Sequence, residues 1–255
     1  GIEAARDEFY RGETARRIAE YHAANGGWLA REDLANFRAK IEAPVQTGYR
    51  GVEVVACGPW CQGPVLLQAL NILEGCDLRG MGHNSTIYIH GVAEALKLAF
   101  ADREGWYGDP DFVEVPIRDL LSKSYAAARR GMIDPAKAWP EMPPPGAFPG
   151  AGRRGPGARS GAARVAGERS ASDTSYVCVI DPEGNAFSAT PSDVSYDTPV
   201  IPGTGLAVSS RGSQSWLDPE HPSCLAPGKR PRLTPNPALV FKDGDRLMLQ
   251  SRDTK

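Results

Sequence analysis

The sequence predicts an α+β fold, on three observations. Apolar residues recur at helical spacing through much of the first 139 residues. From Thr174 onward the pattern shifts to short alternating runs separated by tight turns, as strands require. Between these parts, residues 140–172 hold six Pro, seven Gly and five Arg, with almost no large apolar residue after Phe148. Such a stretch cannot bury enough surface to offset its ordering entropy, so it reads as a mobile surface tether.

Taken in order, residues 3–25 are expected to form a helix that stops at Asn25-Gly26-Gly27, a C-cap signal. Arg31-Glu32-Asp33-Leu34 begins a short second helix. Residues 49–56 alternate around Val52, Val54 and Val55 and read as a strand. The loop Gly58-Pro59-Trp60-Cys61-Gln62-Gly63 follows, and Pro64 stands at the first position of the next helix, where its missing N–H costs nothing. Leu66, Leu67, Leu70 and Leu73 supply that helix with an apolar face, and Gly75 ends it. Val92, Leu96, Ala99 and Phe100 mark a helix over residues 85–104, Gly108-Asp109-Pro110 a sharp turn, and residues 120–132 a further helix. In the second half, strands are expected at 175–181 and 186–190 around the turn Pro182-Glu183-Gly184-Asn185, where Gly and Asn tolerate positive φ. A third strand is expected at 204–210. Residues 237–242 and 246–251 form a hairpin around Asp243-Gly244-Asp245.

Composition narrows the function classes. Gly and Pro together make 50 of 255 residues, against a usual share of ~12%. The 29 basic and 31 acidic residues nearly cancel, to a net −2. This excludes a coiled coil, a wholly disordered chain and a generally basic nucleic-acid binder. The arginines of the tether lack interleaved aromatics and read as a solvated segment rather than a nucleic-acid contact. No run approaches the ~20 apolar residues of a membrane span. Five irregularly spaced cysteines (Cys57, Cys61, Cys76, Cys178, Cys224) do not make a disulfide framework, and the four histidines stand at no ligand spacing, so neither a metal nor a cofactor is expected. A cytoplasmic setting is favoured over a periplasmic or secreted one. The ends at Gly1 and Lys255 read as internal to a longer protein.

The chemistry centres on the junction of tether and strand, Asp173-Thr174-Ser175-Tyr176-Val177-Cys178-Val179-Ile180-Asp181, followed by Gly184-Asn185-Ala186. With Gly26-Gly27 and Asp33-Leu34, Tyr49-Arg50-Gly51, Asn71-Ile72-Leu73-Glu74-Gly75, Ala99-Phe100-Ala101-Asp102-Arg103, Gly108-Asp109-Pro110-Asp111-Phe112 and Ala226-Pro227-Gly228-Lys229-Arg230-Pro231, it resembles the γ-glutamyltranspeptidase family of N-terminal-nucleophile hydrolases. The shared order of these motifs carries the resemblance over nearly the whole chain outside the tether. It implies an αββα sandwich, incomplete at both ends, with residues 1–139 from the large subunit and 174–255 from the small subunit. Residues 140–173 form the processing tether, within one structural domain overall.

A Thr hydroxyl is a poor nucleophile at neutral pH and needs an adjacent base. Cleavage between Asp173 and Thr174 would give Thr174 a free α-amine, with an ordinary pKa near ~7.7–8, able to take the hydroxyl proton of the same residue. The resemblance implies that this cleavage is autocatalytic and yields large and small subunits from one precursor, with further oligomerisation open. It also implies hydrolysis or transfer of the acyl group of γ-glutamyl compounds or related small amides.

Other site residues follow from the resemblance with departures. Thr190-Pro191-Ser192 replaces the family's Thr-x-Thr, making Ser192 the candidate that orients Thr174. The carboxylates that hold a substrate amine are absent from Ser209-Ser210-Arg211-Gly212-Ser213-Gln214-Ser215-Trp216, leaving Arg211 and Gln214 as candidate substrate contacts. The family's paired Ser is Leu233-Thr234 here, so Thr234 remains as a candidate contact for a substrate carboxylate. Arg211 would repel a cationic amine and attract an anion, which points toward the branch that includes oxamate-type amidohydrolases. The Pro-Gly-Gly loop that forms the family's oxyanion hole does not follow the last strand of this chain. A fragment that keeps the fold without catalysis is the alternative from another class.

Overall fold

The computed structural model describes residues 1–148, 176–190 and 198–251, excluding the side chains of 245–251. Its first-half elements are α1 (Ile2–Arg11), α2 (Glu13–Ala24), α3 (Arg31–Asn36), β1 (Val45–Tyr49), β2 (Val52–Ala56), α4 (Gly63–Glu74), α5 (Leu78–Met81), α6 (Thr86–Trp106), α7 (Ile117–Leu120) and α8 (Lys123–Arg130). The second half contributes β3 (Val177–Ile180), β4 (Ala186–Ala189), β5 (Val200–Ile201), β6 (Leu206–Ala207), a 3₁₀ turn over Arg211–Gln214, β7 (Pro237–Lys242) and β8 (Asp245–Ser251).

Local signals account for most boundaries. Pro stands in the first turn of α4, and Gly75 caps its end. The Ser85 hydroxyl accepts the Tyr88 amide at the start of α6, and Ser122 does the same for Tyr125 at α8. That second cap starts α8 at Lys123, so the helix expected over 120–132 is a shorter one, with α7 a separate turn just before it. The helix expected over 3–25 is likewise two, divided at Gly12, whose backbone is extended. The expected 49–56 strand begins only at Val52. Arg50 and Gly51 both take positive φ and turn the chain back onto β1, which sequence pattern alone did not reveal. The strand expected over 204–210 shrinks to Leu206–Ala207. The last hairpin forms as expected, with φ of 52° at Asp243 and 88° at Gly244, the handedness that a two-residue hairpin turn demands.

The chain divides into two compact units: Gly1–Glu42 with Asp193–Arg211, and Ala43–Ser192 with Gly212–Lys255. Each unit includes residues from both sides of Thr174. In the first unit, α1 and α2 carry i,i+4 ion pairs such as Arg11–Asp7 and Arg17–Glu13, and β5 pairs antiparallel with β6. In the second, an antiparallel sheet of order β1-β2-β7-β8 packs against α4. Val54, Ala56 and Ala238 meet Leu67 on one face of that helix. On the opposite side, Val65 and Ala69 meet Ala99, Tyr107 and Leu120, and further along the same stripe Ile72 and Leu73 meet Ala95, Leu98 and Ala126. A helix apolar on all sides belongs inside a core. Full burial of a side chain such as Leu67 stabilises the fold by roughly 2–3 kcal/mol.

The first residues of the expected tether are not free. Phe148 packs on Trp106 and Tyr125, the Gly146 amide donates to Asp102 at 2.8 Å, and Arg129 donates to the Pro144 carbonyl at 3.0 Å. The rest of that segment lies outside the described residues.

Candidate active site

The proposed nucleophile Thr174, the cleavage partner Asp173 and the orienting Ser192 lie outside the described residues. The strand that Thr174 leads into is described. β3 pairs antiparallel with β4 in the register Val177↔Ala189 to Ile180↔Ala186. Their turn is closed by Asp181, whose carboxylate accepts the Asn185 amide at 2.7 Å and its side chain at 2.8 Å. Those bonds from Asn185 hold the Asp181 carboxyl below its usual range.

Thr234 sits on a segment held down residue by residue. Upstream, Arg230 forms a forked ion pair with Asp109, its Nη2 at 2.8 Å and its backbone amide at 2.9 Å from the two carboxylate oxygens. The same guanidinium lies over the Trp60 ring, 5.2 Å from its centre. Arg232 is buried and donates to the Arg103 carbonyl at 2.8 Å and to Glu104 at 2.7 Å. The Leu233 amide donates to the Trp60 carbonyl at 2.9 Å. Gln62 then donates twice: its side chain to the Thr234 carbonyl at 3.0 Å and its backbone amide to the Pro235 carbonyl at 3.2 Å. Every pin comes from the glycine-rich loop before α4 or from the end of α6 and the turn after it.

That loop can approach so closely because residue 63 is Gly. A β-carbon there would lie 2.0 Å from the Cys57 carbonyl oxygen.

The end of α6 is electrostatically crowded. Burial lowers Arg103 to about 10, and the neighbouring Arg232 charge adds to that. Glu104 compensates both guanidiniums. Burial alone would raise its carboxyl, but the His221 ring, its Nε2 3.8 Å away, and the charge of Arg232 outweigh burial and hold it at about 2. His221 stacks on Trp216 with ring centres 4.3 Å apart and accepts the Ser223 amide on Nδ1 at 3.0 Å.

Behind these pins lies a buried polar centre. Asp102, with 0% of its surface exposed, accepts from Gln68 at 2.8 Å, Tyr125 at 2.8 Å and the Gly146 amide at 2.8 Å. It also pairs with Arg129 at 3.1 Å. Burial raises its carboxyl despite the Arg129 charge. Tyr107 donates to Gln68 and, because it is fully buried, has its phenol pushed well up. These groups orient one another and do not face solvent, so they support the site and do not react.

Arg211 and Gln214 open and close the 3₁₀ turn and are half-buried. The Arg211 amide donates to the Ser209 hydroxyl at 3.3 Å. Gln214 and Thr234 share the second unit, whereas Arg211 belongs to the first. Sequence reading singled out Asp109, Asp102 and Arg230 only as parts of motifs and passed over Gln62 as a site residue. Asp109, in a turn with no basic residue within five positions along the chain, is the available signal for long-range pairing.

Among the described residues, no group of three His, Cys, Asp or Glu is placed to hold a metal. No described helix is long and apolar enough to cross a membrane.

Residues 3–250 match the family model described as Gamma-glutamyltranspeptidase. The chain belongs to the γ-glutamyltranspeptidase family. The Acylase ACY 1 proenzyme of Pseudomonas sp. strain SE83 is 37% identical, over 93% of this chain and 39% of its own length. The Glutathione hydrolase proenzyme of Escherichia coli strain K12 is 32% identical, over 93% of this chain and 40% of its own length. Among solved structures, cephalosporin acylase from Bacillus halodurans superposes with a TM-score of 0.75 at 32% identity, covering 95% of this chain and 40% of that one. The chain thus spans about two fifths of the length of the relatives it matches. Over that span its α+β fold is that of the N-terminal-nucleophile hydrolases of this γ-glutamyltranspeptidase family, whose named relatives are hydrolase and acylase proenzymes.

Proposed function

We propose that this chain is part of a self-processing hydrolase or acyltransferase in which Thr174 is the nucleophile. One observation carries the reading most. Thr174 stands three residues before β3, in a chain whose relatives are named as proenzymes. In the processing step the Thr174 hydroxyl attacks the Asp173 carbonyl carbon and the peptide C–N bond breaks. The nitrogen takes up a proton and becomes the free α-amine of Thr174, and Asp173 is left as an ester on the hydroxyl. Water then hydrolyses that ester, releasing Asp173 as a carboxylate. In turnover, the amine accepts the hydroxyl proton while the hydroxyl attacks a substrate amide, and water or an amine removes the acyl group. Ser192 orients the hydroxyl. The pinned segment from Arg230 to Pro235 presents Thr234 to a substrate carboxylate.

Within this family the substrate is a γ-glutamyl compound or another small amide. Arg211, standing where the family's amine-holding carboxylates are expected, favours an anionic acyl group such as that of oxamate over one carrying an α-amine. Intact mass spectrometry of the full-length protein tests the first claim: a break before Thr174, abolished by Thr174→Ala, is expected. A wild-type protein that stays one chain while folded would overturn the nucleophile assignment. A panel of γ-glutamyl amides against small anionic amides tests the second, with the anionic amides turned over faster and Arg211→Gln reversing that preference.

A further inference from the structure

Thr234 lies in a stretch with few handles of its own. The segment reads Leu233-Thr234-Pro235-Asn236-Pro237, and neither proline has an N–H to give. Pro235 also fixes its own φ and biases Thr234 toward extended backbone. The segment is therefore stiff, and what orients it is what holds its carbonyls. Two successive carbonyls go to one residue. The Gln62 side chain donates to the Thr234 carbonyl at 3.0 Å, and the Gln62 amide donates to the Pro235 carbonyl at 3.2 Å. The ends are held separately, Leu233 by the Trp60 carbonyl at 2.9 Å and Ala238 by pairing with Ala56 on β2. Gln62 is itself well fixed: it is 1% exposed, stands at the N-cap of α4, and its carbonyl accepts the Val65 amide at 3.0 Å. Its side chain is also the type the position calls for. Ionised Glu has no proton to give a carbonyl, and Asn is one methylene shorter.

We infer that Gln62 is a positioning residue for carboxylate recognition: by holding the Thr234 and Pro235 carbonyls, it sets the direction in which the Thr234 hydroxyl meets substrate. Thr is β-branched, so a fixed backbone leaves its hydroxyl few rotamers. Gln62 acts through Thr234 and touches no reacting atom. The inference rests on the carboxylate role proposed for Thr234. It also draws one recognition element from both sides of the proposed cleavage, with Gln62 before Thr174 and Thr234 after it.

The test uses the full-length protein, with processing read first by intact mass. Two substrate pairs are compared. One is oxamate with glycolamide; the other is γ-glutamyl-p-nitroanilide with the same compound reduced to a hydroxymethyl group at its α-carboxylate. Within each pair only the carboxylate differs, so the ratio of the two kcat/KM values measures its recognition, and the ionisation of the nucleophile cancels. Gln62→Met keeps the length of the side chain and removes the donor. It is expected to lower that ratio roughly five- to tenfold, with the loss appearing in KM. A Gln62 that only stabilised the fold would weaken both members of a pair alike. Gln62→Glu keeps the experiment decisive should Met disturb packing. Its acid form donates to the Thr234 carbonyl and its carboxylate does not. The ratio in Gln62→Glu should therefore be near that of the wild type at about pH 5 and fall as the group ionises, a dependence that the wild type lacks. Thr234→Val reports on the underlying reading. No preference for the carboxylates in the wild type, or a preference that survives Thr234→Val, overturns the role of Thr234 and this inference with it. A preference lost in Thr234→Val but retained in Gln62→Met, or flat with pH in Gln62→Glu, overturns the inference about Gln62 alone.

Discussion

The α4–α6 region and the β3–β4 hairpin are built from similar apolar residues and end in opposite states. Val54 and Ala56 on β2 are 4% exposed, whereas Val179 is 55% exposed and Phe187 61%. On α4, apolar and polar residues alike are buried because three neighbouring elements surround the helix. The hairpin is apolar on both faces, the composition of a strand meant to be covered on both sides, yet its described residues are open. The polar groups differ in the same direction. Asp102 collects four partners at the centre of the helices, while Asp181 only closes its own turn. The scaffold that pins the Thr234 segment is thus self-sufficient, whereas the strand following Thr174 owes little of its order to packing.

The strongest way to break this comparison is at Asp102. Asp102→Ala leaves Arg129 buried without its counter-charge and deprives Gln68, Tyr125 and the Gly146 amide of their acceptor. Removing one partner of such a pair costs about 3–5 kcal/mol, which for a unit of this size lowers the melting temperature by roughly 10 °C. Asp102→Asn keeps the shape and part of the hydrogen bonding, so its loss should be smaller. Thermal unfolding followed by circular dichroism checks both. Equal, small effects for the two variants would mean that the buried centre does not hold the scaffold.

Much of the scaffold was legible because its signals are local. Pro64, Gly75, Ser85 and the Asp243-Gly244 pair each act within a few residues of themselves, and each marks a boundary where the sequence predicts one. What escaped is what acts at a distance or by a weak pattern. β1 reads Val-Gln-Thr-Gly-Tyr, with the polar Thr47 at its buried centre and a Gly beside it, and only pairing with β2 makes it a strand. The forked pair Asp109–Arg230 joins residues 121 positions apart, and no periodicity reports such a contact. For the site, motif order singled out Thr174, Arg211, Gln214 and Thr234 as residue types in sequence. The bonds that fix Thr234 depend on Gln62, whose side chain gives no signal until the loop before α4 is folded against it.

A second probe is acid. The Glu104 carboxyl stands at about 2 in the folded protein, against its ordinary 4.5. Its contribution to stability is therefore fully present above pH ~4.5 and is lost as pH falls toward 2, amounting to at most about 3 kcal/mol. Glu104→Gln should be less stable than the wild type at pH 7 but lose stability less steeply between pH 4.5 and 2. Urea unfolding across that interval measures the difference in slope. Parallel slopes would show that Glu104 does not neutralise the Arg103–Arg232 cluster.

The smallest effect is also the sharpest comparison, because one substitution can be made in both regions. Val→Thr keeps the shape and adds a hydroxyl. At Val54 that hydroxyl enters the apolar contact with Leu67 and Ala238, where burying it without a full set of partners costs ~1–3 kcal/mol. At Val179 it stays in water on a residue already half exposed, and the change should lie within ~0.5 kcal/mol. Urea midpoints at unchanged slope give both numbers directly. If Val179→Thr in the intact chain costs as much as Val54→Thr, the hairpin is packed as tightly as β2, and the contrast between the two regions disappears. If it costs nothing in this chain but more than 1 kcal/mol in the full-length protein, then the packing that orders the strand after Thr174 comes from the longer protein, and the scaffold and the nucleophile strand are stabilised independently.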